Sequence, residues 1–301
     1  MLMIVNRVLW AVATALIFCF GIFFTWRFRF VQFRISKIVS SLKRRKSSAD
    51  GISPISSLMM VLAGRIGVGS IAGVALAIYI GGVGSIFWMW VIGILAASST
   101  FAETVLGILY KQKDEKNIYK GGPSYYIKHG LNSSKWGGIF AILVLISYVG
   151  GFLGIQSNTI VKSLESIVSI SPILVTILIC ILTAFIIFGG IKKISTVTSK
   201  LVPIMTMVYV GTALFIVVKN ISFMPKVLLE IFSSAFDFSS FFGGFLPTFV
   251  VGIQRGIFSN EAGLGTGSIA SSATDDTDAV KSGYLQMLGI YITTLFICTA
   301  T

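Results

Sequence analysis

Charge is what this chain has least of. Only 12% of its 301 residues are Asp, Glu, Lys or Arg, where a soluble domain carries about 25%. A water-soluble globular protein is excluded on that ground, and disorder is excluded by the 55% of apolar residues. Histidine occurs once, as His129, so no histidine metal centre can form. The three cysteines, Cys19, Cys180 and Cys298, lie singly inside apolar runs and lack metal spacing. They read as small apolar residues facing helices or lipid. No nucleophile–base pair is apparent. Gly64 to Gly69 lacks the Lys-Ser/Thr ending of a phosphate loop. An enzyme is therefore the weaker reading, and no cofactor is expected.

What is present is length without charge. Mean hydropathy is +0.90, and the apolar runs are long and continuous rather than alternating, which favours α-helical spans over a membrane β-barrel. Eight candidate spans fall at 7–26, 56–80, 84–110, 138–161, 172–191, 201–218, 243–273 and 282–300. Eight Lys/Arg lie in 26–50, including Lys43-Arg44-Arg45-Lys46, six in 111–137 and three in 192–200. These loops alternate with charge-poor ones, so the +13 net charge reads as topology rather than nucleic-acid binding. The expected location is a cell (inner, cytoplasmic) membrane, multi-pass, with the N-terminus outside. The first span reads as an anchor rather than a signal peptide, because its positive flank follows it. Residues 30–50 read equally as an interfacial helix or a solvated basic linker. The apolar run ending at Thr301 suggests C-terminal truncation.

Two spans are poor continuous helices. The second contains Gly64-Arg65-Ile66-Gly67-Val68-Gly69-Ser70-Ile71-Ala72-Gly73. The seventh contains Gln254-Arg255-Gly256-Ile257-Phe258-Ser259-Asn260-Glu261-Ala262-Gly263-Leu264-Gly265-Thr266-Gly267-Ser268. Glycine costs about 1 kcal/mol against alanine in a helix interior, and an arginine at mid-membrane costs about 3 kcal/mol or more. Both are tolerable where a helix unwinds around a polar site. Two Gly-interrupted spans, five spans apart, point to a secondary transporter built from inverted repeats. Close helix packing on small residues is the competing explanation for the glycines.

Four stretches, in this order, resemble the alanine or glycine:cation symporter family, the sodium:alanine symporters: Gly67 to Ala75; Gly81 to Trp90 followed by Phe101-Ala102-Glu103; Gly121-Gly122-Pro123-Ser124-Tyr125-Tyr126-Ile127; and Arg255 to Gly265. The resemblance implies an all-α polytopic membrane protein with an incomplete leucine-transporter-like inverted-repeat fold. Its parts would be an anchor at 1–29, a basic linker or interfacial helix at 30–55, a first five-helix repeat at 56–218 and a partial second repeat at 219–301. It implies alternating-access transport of alanine or glycine coupled to a cation, with sodium as the expected ion. The substrate set it implies is Gly67, Val68, Gly69, Ser70, Gln156, Asn158, Ser259, Asn260 and Gly263. The cation-coupling set is Arg65, Ile66, Ser70 and Glu261. Against the family pattern, Arg65 and Val68 replace Thr, and Ser70 replaces Asn.

Arg65 needs an anion or water, and Glu261 is the candidate partner. Glu103, with Lys111 and Lys113 beyond it, reads as a helix-end ion pair, with a relay as the alternative. Asp275, Asp276 and Asp278 read as a solvated loop. The expected partners are the small neutral amino acid, sodium and the bilayer, and no nucleic acid. A second chain supplying further helices, a decayed remnant, a sodium-independent exchanger and a channel are the competing readings.

Overall fold

The computed structural model describes residues 2–43, 51–115, 117–239 and 241–301. Apart from one short hairpin, its regular structure among these residues is helical. Helix α1 (Leu2–Arg27) leads into a 3₁₀ turn (Val31–Phe33) and α2 (Ile35–Ser41). Val31 and Ile38 are buried in one apolar cluster with Ala97, Tyr284 and Met287. The segment after the first span is therefore anchored through Val31, Gln32, Ile38 and Ser41, while the other residues from 33 to 43 are half-buried or exposed. Arg44, Arg45 and Lys46 of the basic run lie outside the described residues.

The second span is two helices, α3 (Pro54–Arg65) and α4 (Ala72–Gly81). Ser53 caps α3, its hydroxyl accepting the Ser56 amide at 3.1 Å, and Pro54 opens the helix where no partner for its nitrogen is needed. Next comes α5 (Ser85–Leu109), the central helix of the molecule. It packs against α1 and against five helices met later in the chain. Small residues make this possible: Gly93, Ala96, Ala97, Ser98 and Thr100 are buried along it and let neighbours approach closely. The Ser98 hydroxyl donates to Gly21 O of α1 at 3.0 Å.

Strands β1 (Gln112–Lys113) and β2 (Tyr119–Lys120) form an antiparallel hairpin. Gly122, with φ of 108°, precedes a short helix, α6 (Pro123–Gly130), which Pro123 opens at its first position. Then α7 (Ser134–Ile146) continues through a π-helical turn (Ser147–Phe152) into α8 (Leu153–Ile167). Helices α9 (Pro172–Ile187) and α10 (Gly190–Lys219) follow, and α11 (Met224–Ala235) leads to the seventh span. Large apolar side chains on α7 to α10, such as Ile142, Leu145, Phe185 and Phe215, are exposed, as lipid-facing residues would be.

The seventh span is likewise two helices, α12 (Leu246–Asn260) and α13 (Thr266–Ser272). The eighth is α14 (Ala279–Ile290), which passes through a π-helical segment (Tyr291–Ile297) into α15 (Cys298–Ala300). Asp278 caps α14 by accepting the Lys281 amide at 3.0 Å, so that part of the acidic loop does more than face solvent. Among the described residues, five helices are long and apolar enough to cross a membrane by length and composition: those at 4–27, 85–109, 134–167, 190–219 and 279–300. The two broken spans fall below that length because each is split.

The breaks are shorter than the glycine-rich sequences around them: residues 66–71 in the first and 261–265 in the second. Helix α4 packs on α12, while α3 packs on α13. The first half of each broken span thus lies against the second half of the other. The two run antiparallel and bring their breaks to the same level.

Glycine sets the closeness of α12 to α5. A β-carbon built on Gly252 would lie 2.7 Å from Trp88 Cβ and 3.1 Å from Ser85 Cα. Gly252→Val is therefore expected to destabilise the fold by about 1–3 kcal/mol through overpacking. Thermal unfolding of the detergent-purified protein should show a lowered midpoint. An unchanged midpoint would mean that these helices pack elsewhere.

Candidate functional site

The two breaks touch. A β-carbon on Gly69 would lie 3.2 Å from Phe258 O and 3.2 Å from Ser259 Cα. One on Gly64 would lie 3.3 Å from Glu261 Oε1. The Phe152 ring, from the π-helical turn before α8, stacks on Phe258 at 5.4 Å. Gln156 of α8 reaches in from the same side, its Nε2 donating to Gly64 O at 3.5 Å.

The breaks differ in which backbone groups they leave free. In the first, three carbonyls are taken, while those of Ile66 and Gly69 have no partner among the described residues. Gly67 O accepts from Ile71, Val68 O accepts from Gly73 at 2.7 Å, and Ser70 O accepts from the Thr301 hydroxyl. The Gly67 amide donates to Ser70 Oγ at 3.2 Å. The amides of Val68, Gly69 and Ser70 have no partner among the described residues.

In the second break, amides are taken. The Ala262 amide donates to Asn260 Oδ1 at 2.9 Å, the Gly263 amide to Glu103 Oε1 at 2.9 Å, and the Leu264 amide to Glu261 O at 3.2 Å. Continued helix would have sent these amides to the carbonyls of Phe258, Ser259 and Asn260. Those three carbonyls are left without a partner among the described residues. The chain turns here with Glu261 at φ 54°, a left-handed conformation uncommon outside glycine, and with Gly263 and Gly265 at φ 84° and 79°. Gly265 also lies against Pro123, so the Gly-Gly-Pro turn braces the second break.

The predicted residues are distributed as follows. Gly67, Val68, Gly69 and Ser70 form the first break. Ser259 and Asn260 end α12, both fully buried, and Gly263 sits exposed in the second break. Ser259 Oγ lies 3.1 Å from Cys298 Sγ, so its hydroxyl faces α15 while its backbone faces Gly69. Asn260 uses its side-chain oxygen on its own turn, and its Nδ2 is unpartnered. Gln156 reaches the breaks, but Asn158 is exposed. Two residues along a helix turn about 200°, so these two amides cannot face one site.

Arg65, 1% exposed, ends α3, and Ile66 caps it by donating to Leu62 O. Arg65 Nε and Nη1 have no hydrogen-bond partner. Glu261 is its strongest electrostatic partner and Glu103 the next, yet no contact within 4.0 Å joins Arg65 to either among the described residues. A cavity of about 330 Å³ opens onto this cluster, lined by Gly64, Val144, Tyr148, Glu261 and Thr266. A larger one of about 620 Å³ reaches Ile66, Gly67 and Ile71 from the side of α10.

Glu103 is the residue that the sequence misassigns. Its carboxylate holds the second break instead of pairing at a helix end. Lys111 turns away from it and donates to the carbonyls of Thr274 and Asp276 at 2.7 and 2.6 Å. Burial holds Lys111 below the ordinary lysine pKa, with the carboxylates of Asp276 and Asp275 acting against that shift. The sequence signal for Glu103 was its charge inside an otherwise apolar run. Its partner, 160 residues away, was not signalled.

Removing the Asn260 acceptor should loosen the second break. Asn260→Ala is expected to cost about 1 kcal/mol, as for lost caps and single hydrogen bonds. Hydrogen exchange of the Ala262 amide should accelerate several-fold, and unchanged protection would refute the bond.

The profile of the sodium:alanine symporter family matches residues 1–301. The "Amino-acid carrier protein AlsT" of Bacillus subtilis is 40% identical over 93% of this chain and 61% of its own length. The "Probable sodium/glutamine symporter GlnT" of the same organism is 38% identical over 99% of this chain and 63% of its own length. The "Sodium/alanine symporter AgcS" of Methanococcus maripaludis is 36% identical over 93% of this chain and 64% of its own length. The chain thus spans a little over three fifths of these relatives. With the family profile matched along its whole length, this chain belongs to the sodium:alanine symporter family, a family of membrane transporters and not of enzymes.

Proposed function

We propose that this chain carries the substrate-binding part of a cation-coupled carrier for a small neutral amino acid, alanine or glycine, with sodium as the coupling ion. The observation that carries this reading is the opposite polarity of the two breaks. The free amides of Val68, Gly69 and Ser70 suit a carboxylate, and the N-terminal end of α4 behind them adds favourable dipole. The free carbonyls of Phe258, Ser259 and Asn260 suit an ammonium group. An amino acid zwitterion carries both charges a few ångströms apart, which matches two walls in contact. Gln156 adds an amide oxygen and nitrogen at the same place. Asn158, exposed on the far side of α8, has no part in this site.

The reading extends to architecture. The antiparallel pairing of the broken spans supports an incomplete leucine-transporter-like fold with a first repeat at 56–218 and a partial second at 219–301. Eight spans, an N-terminus outside and an inner-membrane location follow from the alternation of the basic loops. Transport would proceed by alternating access around the paired breaks, with sodium binding favouring the loaded state. The relatives' greater length supports a second segment, or a second chain, completing the carrier.

The test is uptake of radiolabelled alanine and glycine into proteoliposomes, with and without a sodium gradient, beside equilibrium binding to the purified chain. Sodium-stimulated binding is expected, and a folded, inserted chain that binds neither amino acid overturns the reading. Gly69→Ala places a methyl group against Phe258 O and is expected to weaken alanine binding at least tenfold, about 1.4 kcal/mol. Unchanged binding by this variant would move the substrate away from the breaks.

A further inference from the structure

Helix α2 has two apolar faces, and the protein covers one of them. Two consecutive left-handed residues, Arg29 at φ 50° and Phe30 at φ 56°, turn the chain sharply at the end of α1. Side chains hold that turn. Gln32 Nε2 donates to the Thr25 hydroxyl at 2.7 Å, and the Tyr291 hydroxyl donates to Gln32 O. The Arg34 guanidinium donates to the carbonyls of Phe28 and Arg29, both at 3.2 Å. Ile38 and Ser41 are then buried against the bundle, Ile38 in the cluster of Tyr284 and Met287. Ile35, Val39 and Leu42 follow the i, i+4, i+7 spacing, so they form a second stripe about 100° further round the helix. That stripe is bare: the three side chains are 57%, 57% and 43% exposed. Ser36, Lys37, Ser40 and Lys43 occupy the rest of the surface and are exposed as well.

The charge on this segment has one sign. No acidic residue occurs before Asp50, while Arg27, Arg29, Lys37 and Lys43 are exposed, and the sequence continues with Arg44-Arg45-Lys46. Among the described residues no carboxylate lies within 4.0 Å of those four side chains. The bare stripe also continues a surface that is already apolar. Helix α1 is long and apolar enough to span a membrane, and it ends on Trp26, an exposed aromatic of the kind that gathers at the membrane–water boundary. A helix with protein on one side, apolar side chains on the next and ammonium groups on the third fits the boundary between acyl chains and headgroups. We propose that α2 and the turn before it dock on the leaflet at this end of α1 and select anionic phospholipids. Ile35, Val39 and Leu42 enter the acyl boundary, and Arg27, Lys37 and Lys43 meet the phosphate charge. Clusters of basic side chains directly after a spanning helix attract anionic headgroups in this way. The docking is independent of which substrate the carrier takes.

Hydrogen exchange of the full chain in lipid nanodiscs tests this, with phosphatidylcholine alone set against a mixture of phosphatidylcholine and phosphatidylglycerol. Amides of residues 35–42 should exchange several-fold more slowly in the anionic bilayer. Salt at about 1 M should remove the difference, because it shortens the Debye length to about 3 Å. The triple variant Arg27→Gln, Lys37→Gln, Lys43→Gln should lose the difference. Lys128→Gln with Lys135→Gln, two exposed positions after the hairpin, should keep it. Ile35→Ser with Val39→Ser should raise exchange in both bilayers. Wild-type exchange over 35–42 that is the same in the two bilayers overturns the proposal without any variant. So does a difference that the triple variant retains. Protection that grows with the number of chains per disc, whatever the lipid, would assign the stripe to a second copy and overturn it too.

Discussion

A backbone polar group in the apolar interior of a membrane protein needs a partner, and in this chain that constraint shapes everything around the two helix breaks. A helix satisfies its own amides and carbonyls four residues apart. Interrupting it releases both kinds of group at once. In the second break the released amides are collected by Asn260, Glu103 and the Glu261 carbonyl. In the first break three carbonyls are collected, by Ile71, Gly73 and the Thr301 hydroxyl. Among the described residues each break is thus partly satisfied, with the amides of Val68, Gly69 and Ser70 free in one and the carbonyls of Phe258, Ser259 and Asn260 free in the other. The surrounding packing serves that arrangement: small residues on α5 admit α12 and α14 closely, and Pro123 wedges against Gly265.

Much of the fold was legible in the sequence because it rests on local properties. Apolar runs gave the helices, and glycines beside an arginine or a glutamate gave the two interruptions. Their limits were less legible. The glycine-rich stretch beginning at Gln254 suggested unwinding well before the place where it occurs, yet Gln254, Arg255 and Gly256 lie in regular helix. Gly252 and Gly256 are there for closeness to Trp88 and Met89, and sequence cannot separate a packing glycine from a turning one. The turn itself falls on Glu261, a residue with no special freedom at positive φ, held by the contacts around it.

The site was legible only in part, for reasons that differ by residue. Gly67 to Ser70 and Ser259 to Gly263 are consecutive, so identifying the breaks identified them. Gln156 and Asn158 were paired through the family resemblance, although two residues along a helix point about 200° apart. Glu103 was out of reach because its meaning is tertiary: the amide of Gly263 comes to it across 160 residues. Val31 and Ile38 are the same kind of case. A basic segment looks solvated until a partner such as Tyr284 or Met287 buries its apolar face.

A site that reads its ligand through backbone has a particular consequence for selectivity. In the proposed site, Val68 contributes an amide and no side-chain oxygen, and the Ser70 hydroxyl is occupied with Gly67. Recognition of the carboxylate and ammonium groups therefore depends on features every α-amino acid shares. Discrimination must come from the walls, where Phe152 stacks on Phe258 and Gln156 spans to Gly64. Excluding a methylene by shape is worth only about 1–3 kcal/mol, whereas a buried amide left unpaired by the wrong ligand rejects it more strongly. Wall residues, not the breaks, are then where relatives named as alanine and glutamine symporters can diverge on a common frame.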